Sequence, residues 1–104
     1  MNALRPTITI GDTFFGTWTY VDDDGNPVII TDDIEFSSSV SIKEVKYPVS
    51  LTILDQNESP GEIEFLVQTD GWQKGIAEMD IKAISGIYKG HSEKYCFNVV
   101  EGVT

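Results

Sequence analysis

The sequence has one cysteine, one histidine and few basic residues, and each shortage excludes a class of site or partner. The single cysteine, Cys96, allows no disulfide within the chain, so the fold must rest on packing. One cysteine and one histidine are too few for the usual structural zinc sites. Seven basic against 17 acidic residues give a net charge of −10, which repels nucleic-acid phosphates and anionic membrane surfaces. No apolar run approaches the roughly 18 residues of a membrane-spanning helix.

The length fits one domain. The 104 residues are predicted to form a single soluble domain over 1–104, with an ordered core over about 6–101. The segment from Met1 to Pro6 lacks the basic start and apolar stretch of a secretory signal. We therefore expect synthesis in a cytoplasm.

Alternation of apolar and polar residues is the strongest pattern in the chain. From Ile8 to Tyr20 every even position except Asp12 and Gly16 is apolar, while threonine fills most odd positions. Successive side chains of a strand point to opposite faces, so this segment is predicted to form one strand. Its apolar face would consist of Ile8, Ile10, Phe14, Trp18 and Tyr20.

Similar alternation predicts further strands, and turn-forming residues separate them. The predicted strands lie over 34–43, 49–53, 62–68, 76–84 and 95–99. Residues 22–27 and 55–61 have the composition of turns or loops, and Asp70–Gly71 and Ser85–Gly86 are further breaks. The segment Ile76–Ile84 also has apolar residues at helical spacing, but its length and flanking glycines favour a strand.

Six or seven strands spaced by roughly 8–14 residues are typical of an all-β sandwich or small barrel. If the apolar faces all point inward, both sheets contribute to one core. Its predicted members are Phe14, Trp18, Phe36, Leu51, Phe65, Ile81 and Phe97.

Few residues of the chain have the chemistry that catalysis needs. His91, the single histidine, is the one candidate general base, and adjacency in sequence does not make Ser92 its nucleophile. We predict that His91 is a solvated histidine of a glycine-rich hairpin. Cys96 has no cation cluster near it in the sequence, so it is predicted to be an inert packing thiol.

The acidic residues form patterns that can be compared with metal and carboxylate sites. Asp22, Asp24 and Asn26 have the 1-3-5 spacing of calcium ligands, but an EF-hand needs glycine at position six and glutamate at position twelve. Here Gly25 is fourth and Asp33 is twelfth, which favours a plain β-turn without a metal. Glu62 with Glu64, or Glu78 with Asp80, would place two carboxylates on one strand face. In so acidic a chain a solvated face is the simpler interpretation.

Two further surfaces bear on binding. Trp72, Tyr88 and Tyr47 would form a platform for sugar stacking if they were exposed together, although aromatic residues at strand ends usually close a sandwich core. An open sandwich also has edge strands that can pair with a neighbouring subunit, and Lys43–Lys46 would blunt one of them. A partner surface is expected to be neutral or basic, because two copies of so acidic a domain repel unless their contact is apolar or charge-complementary.

The order of several short elements resembles a known family. These are Gly11–Thr13 opening a strand, the turn Val21–Val28, then Trp72–Gly75, Asp80–Ile81 and the terminal Val99–Thr104. Together they resemble small immunoglobulin-like structural domains of tailed phages and prophages, including the N-terminal part of baseplate upper proteins. The resemblance runs from about Pro6 to Thr104.

The resemblance implies an immunoglobulin-like antiparallel β-sandwich of about seven strands that serves as a virion tail or baseplate component. Such a protein would be made in the bacterial host cytoplasm and would contact other tail proteins or copies of itself, without catalysis, cofactor or metal. Gly11, Trp72, Gly75 and Asp80 match the pattern in architectural roles. The alternative function is a carbohydrate-binding module that recognises a host glycan through Trp72 and Tyr88.

Overall fold

Two β-sheets pack face to face in the computed structural model, which describes residues 6–103. The described chain contains strands and turns but no helix, so the predicted all-β sandwich is confirmed. It also contains no helix that is long and apolar enough to cross a membrane. The strands are β1 Thr7–Thr9, β2 Thr13–Thr19, β3 Glu35–Ile42, β4 Val45–Pro48, β5 Ser50–Ile53, β6 Glu62–Gln68, β7 Gly75–Ser85, β8 Tyr88–His91 and β9 Tyr95–Val100.

The larger sheet, which we call sheet A, has the order β1-β9-β7-β3-β4. The eleven-residue strand β7 is long enough to hold two partners on one side. Strand β9 pairs with Gly75–Met79, and β8 pairs with Lys82–Ser85. The segment with the ambiguous period, Ile76–Ile84, therefore forms a strand as predicted. All pairs of this sheet are antiparallel except β1 with β9.

The smaller sheet, sheet B, has three antiparallel strands in the order β2-β6-β5. Gly16 of β2 lies opposite Phe65 of β6, and the ring of Phe65 occupies the space that a side chain would fill. A Cβ atom at Gly16 would lie 2.7 Å from the Cζ atom of Phe65. The glycine therefore lets the aromatic ring pack directly onto the neighbouring backbone.

The prediction of one strand from Ile8 to Tyr20 is wrong. The chain breaks between Thr9 and Thr13, so that β1 lies in sheet A and β2 lies in sheet B. Gly11 in this turn has a φ of 101°, a conformation that glycine adopts without steric cost. The apolar residues on either side of the break still face one core, but from opposite sheets. Residues 6–103 form nine strands where about seven were predicted, and this break accounts for one of the additional strands.

The hydroxyl of Thr69 holds this crossing in place. Thr69 is fully buried, and its Oγ1 accepts a hydrogen bond from the Gly11 N–H at 2.8 Å and donates one to the Asp12 carbonyl at 2.6 Å. Both backbone groups lie in the turn that carries the chain from one sheet to the other. A buried hydroxyl that satisfies two backbone groups of a part-buried turn makes the crossing point specific.

The core lies between the sheets and is rich in aromatic rings. The ring of Phe97 is fully buried, with its centroid 4.8 Å from that of Phe14 and 6.4 Å from that of Trp72. Every predicted core residue is either buried in this cluster or packed against it. Full burial of one such side chain contributes roughly 1.5–3 kcal/mol. These contacts join the faces of sheets A and B.

We predict that Thr69→Val destabilises the domain by about 1–3 kcal/mol, because it removes two hydrogen bonds of the part-buried turn, to the Gly11 N–H and the Asp12 carbonyl, each contributing roughly 0.5–1.5 kcal/mol. Thr52→Val is the matched control, since Thr52 is an exposed residue of β5 and should change stability by less than about 0.5 kcal/mol. Urea unfolding monitored by tryptophan fluorescence measures both. Equal stabilities of the two variants would contradict the role given to the Thr69 hydroxyl.

Candidate functional site

The free edge of β2 is the most unusual surface of the molecule. Strand β2 ends sheet B and pairs with β6 on one side. Beyond the end of β2, the Tyr20 N–H donates a hydrogen bond to the Gly61 carbonyl. Because hydrogen-bonded and non-hydrogen-bonded pairs alternate along an antiparallel strand pair, the even-numbered residues of β2 form the backbone hydrogen bonds with β6. The backbone groups of the odd residues therefore point away from the sheet. Within residues 6–103 no hydrogen bond to another segment uses these outward groups of Thr13, Phe15, Thr17 and Thr19.

Strand β2 has no charged residue and no proline, although the chain has 24 charged residues in all. Natural sheet edges usually carry lysine, proline or a bulge, which prevent pairing with another chain. Beside the edge, Phe15 is 71% exposed on the outer face, and its partner across the strand pair, Leu66, is also exposed. The edge thus combines free backbone groups with an exposed apolar pair.

The other edges in the described part of the chain are shorter or blunted. Strand β4, at one end of sheet A, carries exposed Lys46 and ends at Pro48. Lys43 and Glu44 form the tight turn before it, with φ angles of 50° and 70°. The segment Lys43–Lys46 therefore lies at a sheet edge, as the sequence predicted. Strands β1, β5 and β8 have only three or four residues each.

An aromatic cleft opens beside the end of β2. It has a volume of about 780 Å³ and lies between Trp18–Val21 of the β2 end and the β7–β8 hairpin with the segment that follows it. Its aromatic walls are Trp18 and Tyr20 on one side and Tyr88 and Tyr95 on the other. The rim includes charged side chains such as Lys89 and Lys94. Aromatic walls with a polar rim suit a ligand that has both apolar and hydrogen-bonding groups.

The predicted platform of Trp72, Tyr47 and Tyr88 does not form. Trp72 is only 6% exposed, and Tyr47 stacks on it with ring centroids 5.3 Å apart, so these two rings belong to the core and its cover. Tyr88 is 76% exposed on the β7–β8 hairpin and borders the aromatic cleft instead. The burial of Trp72 fits the core-closing role that was the other interpretation of this residue.

A polar groove of about 390 Å³ crosses the outer face of sheet A. It brings His91 together with the candidate carboxylate pair Glu78 and Asp80. Four serines of β3 and three lysines complete most of its lining, and Lys94 Nζ lies 3.5 Å from Glu78 Oε2. Acidic and basic groups are mixed in the groove, so no single charge sign dominates it. The groove arises because alternate residues of neighbouring strands share this face.

His91 and Ser92 have separate surroundings. His91 is exposed at the end of β8, as predicted. The Oγ of Ser92 accepts a hydrogen bond from the Ile81 N–H at 2.9 Å and donates one to the Glu93 carbonyl at 3.0 Å. The serine hydroxyl therefore ties the start of the β8–β9 connection to β7. Cys96 is a free, half-buried cysteine of β9, paired across the ladder with Glu78.

The turn Asp22–Pro27 is held by one carboxylate. Asp22 Oδ1 accepts hydrogen bonds from the Asp24 N–H at 3.0 Å and the Asn26 N–H at 2.9 Å, and Val21 bridges to Pro27. This is the β-turn that the sequence favoured, since the side chain replaces a backbone acceptor. Within residues 6–103 no group of three or more histidine, cysteine or acidic residues is arranged to hold a metal.

The remaining acidic candidates lie at the surface. Asp33, the twelfth residue of that calcium comparison, accepts a hydrogen bond from the Thr31 hydroxyl, which lowers the pKa of its carboxyl. Glu62 and Glu64 alternate with buried Ile63, so both lie on the outer face of sheet B. Glu64 lies between Thr17 of β2 and Thr52 of β5.

Sequence reasoning missed the β2 edge and the aromatic cleft, because both depend on which strands become neighbours. One signal was present: the run from Thr13 to Thr19 has no charge in a chain rich in charged residues. An uncharged strand is expected in the middle of a sheet. At an edge it is exceptional, and only the topology shows where it lies.

We predict that Trp72→Ala lowers the free energy of unfolding by about 3–5 kcal/mol, because it removes a buried ring that packs on Tyr47 and Phe97. Tyr88→Ala should change it by less than about 0.5 kcal/mol, since Tyr88 is exposed. Chemical unfolding of both variants measures the difference. A stable Trp72 variant would contradict its place in the core.

No protein-family model matches this sequence, and a search of curated proteins finds no match.

Proposed function

We propose that this chain is a structural protein of a phage or prophage virion tail or baseplate that acts through protein–protein contacts and not by catalysis. The observation that carries the proposal is the free, uncharged edge of β2. Seven residues of unprotected edge favour pairing with another polypeptide strand. The order of elements that resembles immunoglobulin-like tail domains supports the choice of a virion as the assembly.

The surroundings of the edge support an assembly role as well. The exposed pair Phe15 and Leu66 gives a partner an apolar contact next to the backbone hydrogen bonds. Strand addition obtains affinity from the main chain and specificity from the side chains beside it. The partners in this proposal are other tail or baseplate proteins or further copies of the chain.

We expect the chain to co-sediment with purified phage particles or tails from a producing strain, detected by mass spectrometry of gradient fractions. A cytoplasmic host protein of similar size serves as the control for trapping. The proposal is contradicted if the known tail proteins sediment in particles while this chain stays entirely in the non-sedimenting fraction.

The aromatic cleft favours a second candidate function, a carbohydrate-binding module for a host glycan. In this version Tyr88 and Tyr95 take part with Trp18, in place of the buried Trp72. Sugar rings stack on aromatic faces, and the polar rim offers groups for hydroxyl recognition.

For this second candidate we expect Tyr88→Ala to reduce binding on a glycan array without a change in melting temperature. Ile87→Ala is the matched control, because Ile87 is exposed on the same hairpin and does not line the cleft. If the unmodified protein binds no glycan on the array, carbohydrate recognition is excluded for the sugars tested. Equal loss in both variants would contradict the role of the cleft.

A further inference from the structure

We propose that two copies of this chain pair through their β2 strands, antiparallel, about a two-fold axis at Gly16. The result is a continuous six-stranded sheet in the order β5-β6-β2-β2-β6-β5. This inference deepens the proposed function and rests on it, because it names a second copy as the strand that occupies the same free edge.

The backbone phase of β2 restricts the possible pairings. The outward groups belong to odd residues, so a hydrogen-bonded neighbour must also present odd residues. A two-fold axis at Gly16 places Thr13 opposite Thr19 of the second copy, and Phe15 opposite Thr17. This register overlaps all seven residues of the strand. The two strands can form up to about eight backbone hydrogen bonds, because each directly opposed pair of odd residues, which we call a narrow pair, exchanges two of them. A shift along the strand in either direction loses some of them.

The side chains of β2 are arranged nearly symmetrically about Gly16. The sequence from Thr13 to Thr19 reads threonine, aromatic, aromatic, glycine, threonine, aromatic, threonine. In the proposed register threonine lies opposite threonine at both ends, and Phe14 lies opposite Trp18 on the inner face. Cross-strand pairs of these types stabilise antiparallel ladders. A strand that is complementary to its own reverse suits a closed symmetric contact.

The exposed apolar pair beside the edge also fits a second copy. On the outer face Phe15 and Phe15 of the second copy are diagonal neighbours, within reach of each other's rings. Each has Leu66 of its own chain behind it. Pairing therefore joins two small exposed patches into one strip of four apolar side chains, and it removes Phe15, now 71% exposed, partly from water.

The distribution of charge allows the contact despite a net charge of −10 on each copy. Strand β2 is uncharged, and the first carboxylates on the outer face are on β6, at Glu62 and Glu64. Glu64 and Glu64 of the second copy would be three strand spacings apart, about 14 Å. The Debye length is about 8 Å at physiological ionic strength, so their repulsion is largely screened. Of the edges described, β2 is the longest one free of charge.

Sedimentation equilibrium over concentrations up to about 1 mM is the first test, because an interface of seven residues a side is smaller than that of a standard stable complex. We expect a reversible dimer. Thr17→Lys should raise its dissociation constant by about tenfold or more, since it places two lysines diagonally across the axis. Thr52→Lys is the matched control, because Thr52 flanks the same Glu64 from the other side, on β5. It should leave the dimer unchanged.

Crosslinking tests the register. With Cys96→Ser as background, Phe15→Cys and Thr17→Cys are made in separate copies, and a disulfide forms when the two are mixed and oxidised. Opposed residues of a narrow pair have Cα atoms about 5.5 Å apart, within the range of a disulfide. Each variant oxidised alone should give little crosslinked dimer. Crosslinking by Phe15→Cys alone would overturn the axis at Gly16.

The proposal is also overturned if the unmodified chain is monomeric throughout the concentration range, or if Thr52→Lys and not Thr17→Lys disrupts the dimer. Sedimentation with virions is a separate result. A chain that is found in particles but is monomeric alone keeps the proposed function and loses this inference. If the chain dimerises through β2 but is never found in particles, the dimer stands and the proposed function in a virion is contradicted.

Discussion

The arrangement of both sheets depends on the hydrogen bonds of one buried hydroxyl. Thr69 Oγ1 bonds to the Gly11 N–H and the Asp12 carbonyl at the point where the chain leaves sheet A for sheet B. Without these bonds, two polar backbone groups in a part-buried turn would lack partners. The crossing places β1 beside β9 and β2 beside β6. It therefore brings Phe14 from one sheet onto Phe97 of the other.

The same crossing determines which edge remains open. Strand β1 pairs with only three residues of β9, and the chain then leaves this sheet. Strand β2 continues for seven residues as the outer strand of sheet B, with its odd residues facing away from β6. If the chain had continued in sheet A after β1, residues 13–19 would have belonged to sheet A and would not form the outer strand of sheet B. The exposed edge is thus a consequence of the turn and not of β2 alone.

The alternating segments were predictable because a half-buried strand requires side chains on alternate faces. This holds for β3, β6, β7 and β9, whose apolar residues face the core at every second position. The break at Gly11 was not predicted, since Ile8 before the turn and Phe14 after it keep the same parity and face the same core. The alternation of apolar and polar residues does not reveal a turn when the apolar residues stay at even positions on both sides of it. Gly11 and Asp12 were the local signal for it.

The site was less predictable than the fold, because exposure depends on neighbours distant in sequence. Trp72 and Tyr88 are both aromatic residues near strand ends, yet one is covered by Tyr47 and Phe97 while the other is on an exposed hairpin. No local pattern distinguishes them. The groove that collects Glu78, Asp80 and His91 likewise forms from three strands that meet only in the sheet.

An uncharged edge carries a physical risk that a symmetric contact limits. A free strand that pairs head to tail with further copies generates an open fibre. Pairing about a two-fold axis uses the same edge of both copies at once, so neither copy retains it. The outer edge of the joined sheet is then β5, which has four residues and follows directly after Pro48 and Val49. Because so short a strand offers few hydrogen bonds, growth of the sheet in the proposed dimer would end at two copies. In the proposed dimer, the near symmetry of the sequence about Gly16 would let the chain use an exposed edge without open-ended assembly.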